Sequence, residues 1–467
     1  MANLLIPCSG PGTRSVGYTK FHKALIRIGN MAVIDRIIQS YTDIDTIYIT
    51  LGYEANIIRE YIEHAGYTNI EFIYIDDWMS NQIRSFQQIP EHVFEEPLYY
   101  NACDNWTTSV PEPVGNTYYT CNPIDSQHYD TSGEEVYAGI AYIQDSKQLY
   151  NILQHSELTR NDLLLYQKFN QLNSIPLDDW YDVGNRNSYE TCRQQFNDDF
   201  GILDKTNQEF YKVNQRVVKL FEHKPDINFK NMAFPHPQPV TQGEHGISYD
   251  FVEGRVNPVN GEFTHLLSTL VRLWEFSLHN NQQTYDTKLW QDKTWERFNL
   301  MIEQNPEFAG SIIINGKTID PVRIMENLPW PMLCSGIQGP AHGDLVLDNI
   351  VVGDDKIHYI DHRPGIVEDV YYDMCKFYHS LHLHNTNLKS AWHLTTHQDQ
   401  YIIELKLTKT DYERREQFYN TGLYKWNKRK IELSVGCIWL SMAPLNVDQE
   451  LNKFLFLLAM EKLNEQL

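Results

Sequence analysis

Three side chains in the C-terminal half carry the order of functional groups that phosphoryl transfer from ATP requires. They are Asp344 in His342-Gly343-Asp344, then Asn349, then Asp361 after Ile357-His358-Tyr359-Ile360. In that chemistry one carboxylate, here Asp344, accepts the proton of an attacking hydroxyl. An amide and a second carboxylate, Asn349 and Asp361, hold the magnesium ions that neutralise charge on the transferred phosphate. A second group lies near the start of the chain, in Cys8-Ser9-Gly10-Pro11-Gly12-Thr13-Arg14-Ser15. A loop containing Gly10, Gly12 and Thr13 lets backbone amides approach phosphate closely. Arg14 and Lys23 are cations for triphosphate oxygens, stabilising the charge on a leaving pyrophosphate.

These residues need elements to position them. Ile350-Val351-Val352 predicts a strand, Gly353-Asp354-Asp355-Lys356 a hairpin turn, and Ile357 to Ile360 the returning strand, which brings Asp361 to a strand end beside Asn349. Val370 to Tyr378 predicts the start of an amphipathic helix. In the N-terminal half, residues 3–7 predict a buried strand and a helix begins near Met31. Ile44–Thr50 predicts the second strand, Ala55–His64 the second helix, Asn69–Ile75 the third strand, and Leu98–Cys103 a further one. Alternating strand and helix predicts a mostly parallel sheet. Ligands bind such sheets at the carboxyl ends of the strands, where Asp104 falls. Val136–Ile143 alternates like a strand, and Gly139 within it allows close approach of a substrate ring.

The His-Gly-Asp form of the C-terminal motif, with Gly where protein kinases carry Arg, resembles the aminoglycoside phosphotransferase and choline kinase family, which phosphorylates hydroxyls on small molecules. Asp373-Met374-Cys375-Lys376 resembles the Asp-x-Ala-Lys segment that follows the metal-binding acid there, with Asp373 a structural carboxylate bracing the catalytic loop. The N-terminal order of glycine loop, Lys23, short strand, Gly29 and helix resembles the sugar-phosphate nucleotidyltransferase family, which includes the phosphocholine cytidylyltransferases. That resemblance implies a magnesium ion held by Asp104 and by Asp182 of Trp180-Tyr181-Asp182-Val183-Gly184, and a base-seating segment beginning at Asn81. Pro7 and Cys8 stand where the family commonly has two alanines, and His22 where it commonly has Pro.

Composition sets limits. A chain of 467 residues predicts two or three domains. Its formal net charge of −22 argues against a nucleic-acid partner, since binding a polyanion needs Lys and Arg. There is no run of 18 apolar residues to span a bilayer and no signal-peptide pattern at the N-terminus, so membrane insertion and export are not expected. Seven cysteines without a Cys-x-x-Cys pair suggest reduced thiols and a cytoplasmic location. The histidines of His379-Ser380-Leu381-His382-Leu383-His384 are expected to be structural rather than metal-binding.

The expected fold class is thus α/β with α+β. A Rossmann-like nucleotidyltransferase domain at 1–196 is followed by a two-lobed protein-kinase-like domain at 197–467, which opens on the polar junction at 197–201, its N-lobe about 197–256 and its C-lobe about 257–467. Lys205 is the leading candidate to pair with ATP phosphates. Lys219 competes, although its apolar neighbours also fit a helix with a solvated lysine. Gln215 stands near where the family would place the partner Glu, and Gly246–Val256 resembles the family's interlobe strand and hinge. The expectation is a bifunctional enzyme. One site phosphorylates a small alcohol or sugar with ATP, and the other joins that phosphate to a second nucleoside triphosphate, CTP or UTP, for surface-glycan synthesis. Magnesium serves both sites. A nucleotide-sensing protein with degenerate sites is the rival reading, and a phosphocholine rather than a sugar substrate stays open. Oligomeric state is unread.

Overall fold

The computed structural model describes residues 2–15, 17–122, 136–157, 172–197, 208–224, 234–280, 284–286, 288–354, 356–362, 369–398, 400–446 and 448–467. The chain forms two compact units. The first is Met1–Phe200 with Thr206–Pro225 and Pro239–Phe251; the second is Gly201–Lys205, Asp226–Gln238 and Val252–Leu467.

Unit 1 is built on strands β1 (Ala2–Cys8), β2 (Arg27–Ile28), β3 (Met31–Ala32), β4 (Ile44–Leu51), β5 (Ile70–Tyr74), β6 (Leu98–Asn101), β7 (Asn105–Trp106), β8 (Thr117–Cys121), β9 (Val136–Ile143), β10 (Asn173–Pro176) and β11 (Tyr181–Asp182). Between them run helices α1 (Val33–Gln39), α2 (Ala55–Ala65), α3 (Gln82–Gln87) and α4 (Ser146–Gln154). The main sheet has the order β10-β8-β9-β6-β1-β4-β5. It is parallel except around β9, which runs against both β6 and β8. β1 lies between β4 and β6, so its apolar run Leu4-Leu5-Ile6 is buried on both faces. The helix expected near Met31 begins at Val33, because Met31 and Ala32 first pair with Ile28 and Arg27.

Unit 1 also contains a four-stranded antiparallel sheet made of β12 (Gln208–Val213), β13 (Arg216–Phe221), β14 (Thr241–Gln242) and β15 (Gly246–Asp250), in the order β12-β13-β15-β14. These are strands of the region expected to form a kinase N-lobe, and they share a core with the first sheet. Tyr211, Val213, Val218 and Leu220 are buried in one cluster with Leu4, Ile34, Ile58 and Tyr61. The Tyr211 hydroxyl donates to the Leu25 carbonyl at 2.7 Å. Glu60 on α2 accepts from the amides of His245 and Gly246 at 2.9 and 2.6 Å.

Unit 2 is mainly helical. Ile431–Leu440, in the second half of the helix Gly422–Met442, and most of the helix Gln449–Asn464 are buried nearly all round, as central helices must be. Phe263, Leu266, Leu267, Leu270 and Trp274 form the buried stripe of Asn260–Asn280. The expected hairpin is present, with Ile350–Val352 antiparallel to Ile357–Tyr359. His379, His382 and His384 are core residues. Trp439 Nε1 donates to His379 Nδ1 at 3.0 Å, and burial holds the His379 and His382 pKa values well below the ordinary histidine range. Among the described residues no helix is long and apolar enough to cross a membrane.

Candidate active sites

In unit 1 the ends of β1 and β6 open onto a cavity of about 480 Å3. Gly10, Gly12, Arg14, Lys23, Asn81 and Asp104 all line it. Gly12 adopts φ +58, and a Cβ there would sit 3.1 Å from Lys23 Cδ, so glycine both permits the turn and leaves room for the lysine stem. A Cβ at Gly10 would meet nothing within 4 Å, which leaves that stretch of backbone open to a ligand. Thr13, between Gly12 and Arg14, is exposed to solvent on the turn.

His22 ties this loop to the lysine. Its Nδ1 accepts from the Ala24 amide at 3.2 Å, so Nε2 carries the proton and donates to the Gly10 carbonyl at 2.8 Å. Burial pulls its pKa down to about 4, and the ring is neutral at pH 7. Lys23 Nζ lies 2.8 Å from Asp104 Oδ2.

Asp182 reaches the same place from far along the chain. Tyr181–Asp182 forms a short strand, β11, paired antiparallel with β7, which sets Asp182 opposite Asn105. The Val183 amide donates to the Asp104 carbonyl at 2.9 Å, and Gly184 N donates to Asp182 Oδ1 at 2.9 Å. Burial first, then the charge of Asp104, raises the Asp182 pKa to about 7. Two carboxylates that disfavour each other's ionisation in a low-dielectric setting are hard oxygen donors suited to a magnesium ion. No group of three or more His, Cys, Asp or Glu suited to a metal occurs among the described residues, so such an ion would draw its other ligands from phosphate and water.

Asn81 lines the cavity, but its Oδ1 accepts from the Arg84 amide at 3.0 Å as the N-cap of α3. Sequence reasoning missed the aromatic wall. Trp78, Tyr100 and Tyr137 line the cavity, and Gln82 Nε2 donates to the Tyr100 hydroxyl at 3.3 Å. Gly52 leaves room for Trp78 to pack here, since a Cβ there would lie 2.6 Å from both Ser9 O and Trp78 Cβ. The available signal was Tyr100, next to Tyr99 on a strand that alternates faces.

In unit 2 the His342–Asp344 loop is braced from below. The buried carboxylate of Asp373 accepts from the amides of His342 and Gly343, the latter at 2.8 Å, and burial raises its pKa to about 7. Asp344 Oδ1 lies 2.7 Å from Lys376 Nζ, a partner the sequence did not suggest. Asn349 Nδ2 donates to the Asp344 carbonyl at 2.8 Å. The Ile360 amide donates to the Asn349 carbonyl at 2.9 Å, so Asp361 follows directly from a residue bonded to Asn349. Asp361 itself has φ +60, a left-handed conformation that aspartate adopts more readily than most non-glycine residues. Lys205 lies outside the described residues. Lys219 is on β13 and buried, with its ammonium 4.6 Å from the Phe210 ring centre. The alternative of a solvated lysine on a helix is therefore corrected: the apolar run around Lys219 is a strand.

No family model matches the sequence, and no curated protein matches it. Among solved structures, similarity in the N-terminal part extends to the CTP:phosphocholine cytidylyltransferase of Streptococcus pneumoniae, at 15% identity and a TM-score of 0.36 over 42% of this chain and 98% of that one. A putative glucose-1-phosphate thymidylyltransferase of Bacillus anthracis shows 16% identity and a TM-score of 0.34, over 42% of this chain and 96% of that one. The inositol-1-phosphate CTP transferase of T. maritima shows 10% identity and a TM-score of 0.33, over 41% and 95% respectively.

Proposed function

We propose that unit 1 transfers a nucleotidyl group from a nucleoside triphosphate to a phosphate monoester, releasing pyrophosphate. The observation that carries this reading is the convergence of Gly10, Gly12, Arg14, Lys23 and Asp104 on one cavity, with Asp182 brought beside Asp104 by the β7–β11 pair. Lys23 and Arg14 bind the departing phosphates, and the aromatic wall of Trp78, Tyr100 and Tyr137 excludes water and offers faces for a base. Asp104 and Asp182 would hold magnesium, which when bound neutralises phosphate charge and orients the reacting groups. Lys23 then leaves Asp104 for the triphosphate.

In unit 2 we assign Asp344 as the base that accepts the proton of a small-molecule alcohol, with Asn349 and Asp361 as the groups that would hold magnesium against ATP. The favouring observation is the brace of Asp373 on the His342–Gly343 amides, which fixes the loop that presents Asp344. Together the two sites make a phosphate monoester and consume it, in the service of activated-donor synthesis. The acceptor is a sugar or a small phosphoalcohol of the phosphocholine type.

The test is incubation of the whole protein with magnesium, each of the four nucleoside triphosphates and a panel of phosphate monoesters, read by mass spectrometry. The proposal expects a nucleoside-diphosphate-linked product for one triphosphate. No such product in any combination would sink the unit 1 assignment.

A further inference from the structure

Cys8 ends β1, and Cys103 follows the end of β6, the strand beside it. The parallel register pairs Asn3 with Leu98, Leu4 with Tyr99 and Leu5 with Tyr100, and its continuation sets Cys8 beside Cys103. The two thiols lie within hydrogen-bond reach of each other, in the same buried cluster. Neighbouring strands run about 4.8 Å apart, inside the range of roughly 4.4–6.8 Å between Cα atoms that a disulfide spans. Cys103 lines the cavity and Cys8 does not, both being buried, so the cavity is the route by which a small oxidant would reach the pair, at Cys103 first.

We propose that Cys8 and Cys103 form a reversible disulfide at the floor of the cavity, a modification site through which peroxides switch off the unit 1 reaction. The bond itself is independent of what unit 1 catalyses; its consequence for activity rests on the nucleotidyl-transfer reading. Cys103 Sγ attacks hydrogen peroxide, the O–O bond breaks, and the thiol proton leaves with the departing oxygen as water, giving a sulfenic acid. Cys8 Sγ then displaces the sulfenyl hydroxyl, which takes the Cys8 proton and leaves as a second water as the S–S bond forms. Two thiols are oxidised by two electrons and one peroxide is reduced. A dithiol reductant reverses the step by exchange.

The bond would act on residues directly beside it. Cys8 precedes Ser9-Gly10 and Cys103 precedes Asp104, so drawing the sulfurs together shifts the start of the phosphate loop and the proposed metal ligand. The Cys103 hydrogen bond to Lys23 is lost as well. Displacements of about 1 Å in such a site cost on the order of a hundredfold in rate.

The test treats the full-length protein with a small excess of hydrogen peroxide, alkylates the remaining thiols and maps peptides without reduction. The proposal expects a cross-linked pair containing Cys8 and Cys103, reversed by dithiothreitol and absent from Cys8→Ala and Cys8→Ser. Wherever the reduced protein releases pyrophosphate, that release should fall about a hundredfold on oxidation and return with the reductant in wild type, whereas both variants should resist this loss. Peroxide that leaves both thiols alkylatable, carries Cys103 to a sulfinic acid without a cross-link, or links the buried Cys334, Cys375 or Cys437 of unit 2 instead would overturn it. Peptide mapping decides the matter even for a protein that shows no nucleotidyl transfer, so failure of the functional reading is distinguishable from failure of this one.

Discussion

Asp104 holds the Lys23 ammonium at 2.8 Å, and in the proposed reaction the triphosphate competes with that carboxylate for it. Replacing a single charge-stabilising donor of this kind costs about 100- to 1,000-fold in kcat. Lys23→Ala is therefore expected to lower nucleotidyl transfer by that order, measured as pyrophosphate release, while leaving phosphorylation of the free alcohol unchanged. A variant close to wild type would place the leaving-group contact elsewhere. His22 supplies a pH test. Its folded pKa of about 4 lies below the ordinary value of 6.5, so the unfolded chain takes up the proton first. Stability from His22 is complete above pH 6.5 and is lost as pH falls toward 4, by about 3 kcal/mol at about 1.4 kcal/mol per pKa unit. His22→Gln, whose amide can still donate to Gly10, should flatten that slope in urea unfolding followed from pH 7 to 4. An unchanged slope would mean that the buried ring is not the titrating group. The polar residues of this cavity were legible in the sequence because Gly10, Gly12, Arg14 and Lys23 cluster within one short segment. Trp78 and Tyr137 were not, since an aromatic side chain in a sequence reads as core until a cavity is seen beside it.

Gly12 and Asp373 show how elements hold these side chains. Gly12→Ala forces an alanine into φ +58 and its methyl against the Lys23 stem, so transfer should fall at least about tenfold with a stability loss near 1–2 kcal/mol. An alanine variant with full activity would show that the loop tolerates a side chain. Asp373→Asn trades one acceptor oxygen for a donor facing a buried amide of the His342–Gly343 pair, which costs about 1–3 kcal/mol. Kinase activity should fall with it while nucleotidyl transfer persists, and the reverse pattern would remove Asp373 from the Asp344 loop. Long alternating or apolar runs such as Ile44–Leu51 and Val136–Ile143 were readable because each carries its own period. The β7–β11 pair was not: each strand has two residues, and their partners are distant in sequence. Lys219 was ambiguous because Val217-Val218-Lys219-Leu220 is too short a run to separate a strand from a helix.

At the scale of the whole chain, the strands β12, β13 and β15 matter to the stability of unit 1. A polar junction at 197–201 is visible in the sequence. The docking of Tyr211, Val213, Val218 and Leu220 into the core of the first sheet has no local signature, because it pairs residues far apart in the chain. Ending the chain at residue 196 would expose that apolar surface. The fragment 1–196 is expected to aggregate or melt several degrees below 1–251, as judged by calorimetry and light scattering. Equal stability of the two fragments would show that the second sheet adds nothing to the first. The most direct measurement of the central claim is a one-pot reaction of the whole protein with γ-labelled ATP, a panel of unphosphorylated sugars and amino alcohols, and unlabelled CTP or UTP. With Asp344 supplying a monoester to the Asp104 site, the label should appear in the distal phosphate of a nucleoside-diphosphate-linked product. Asp344→Asn should abolish that label, while added unlabelled monoester restores product. A label that never leaves ATP, or that stops at the monoester while neither CTP nor UTP is consumed, would contradict a chain that makes a phosphate in one unit and spends it in the other.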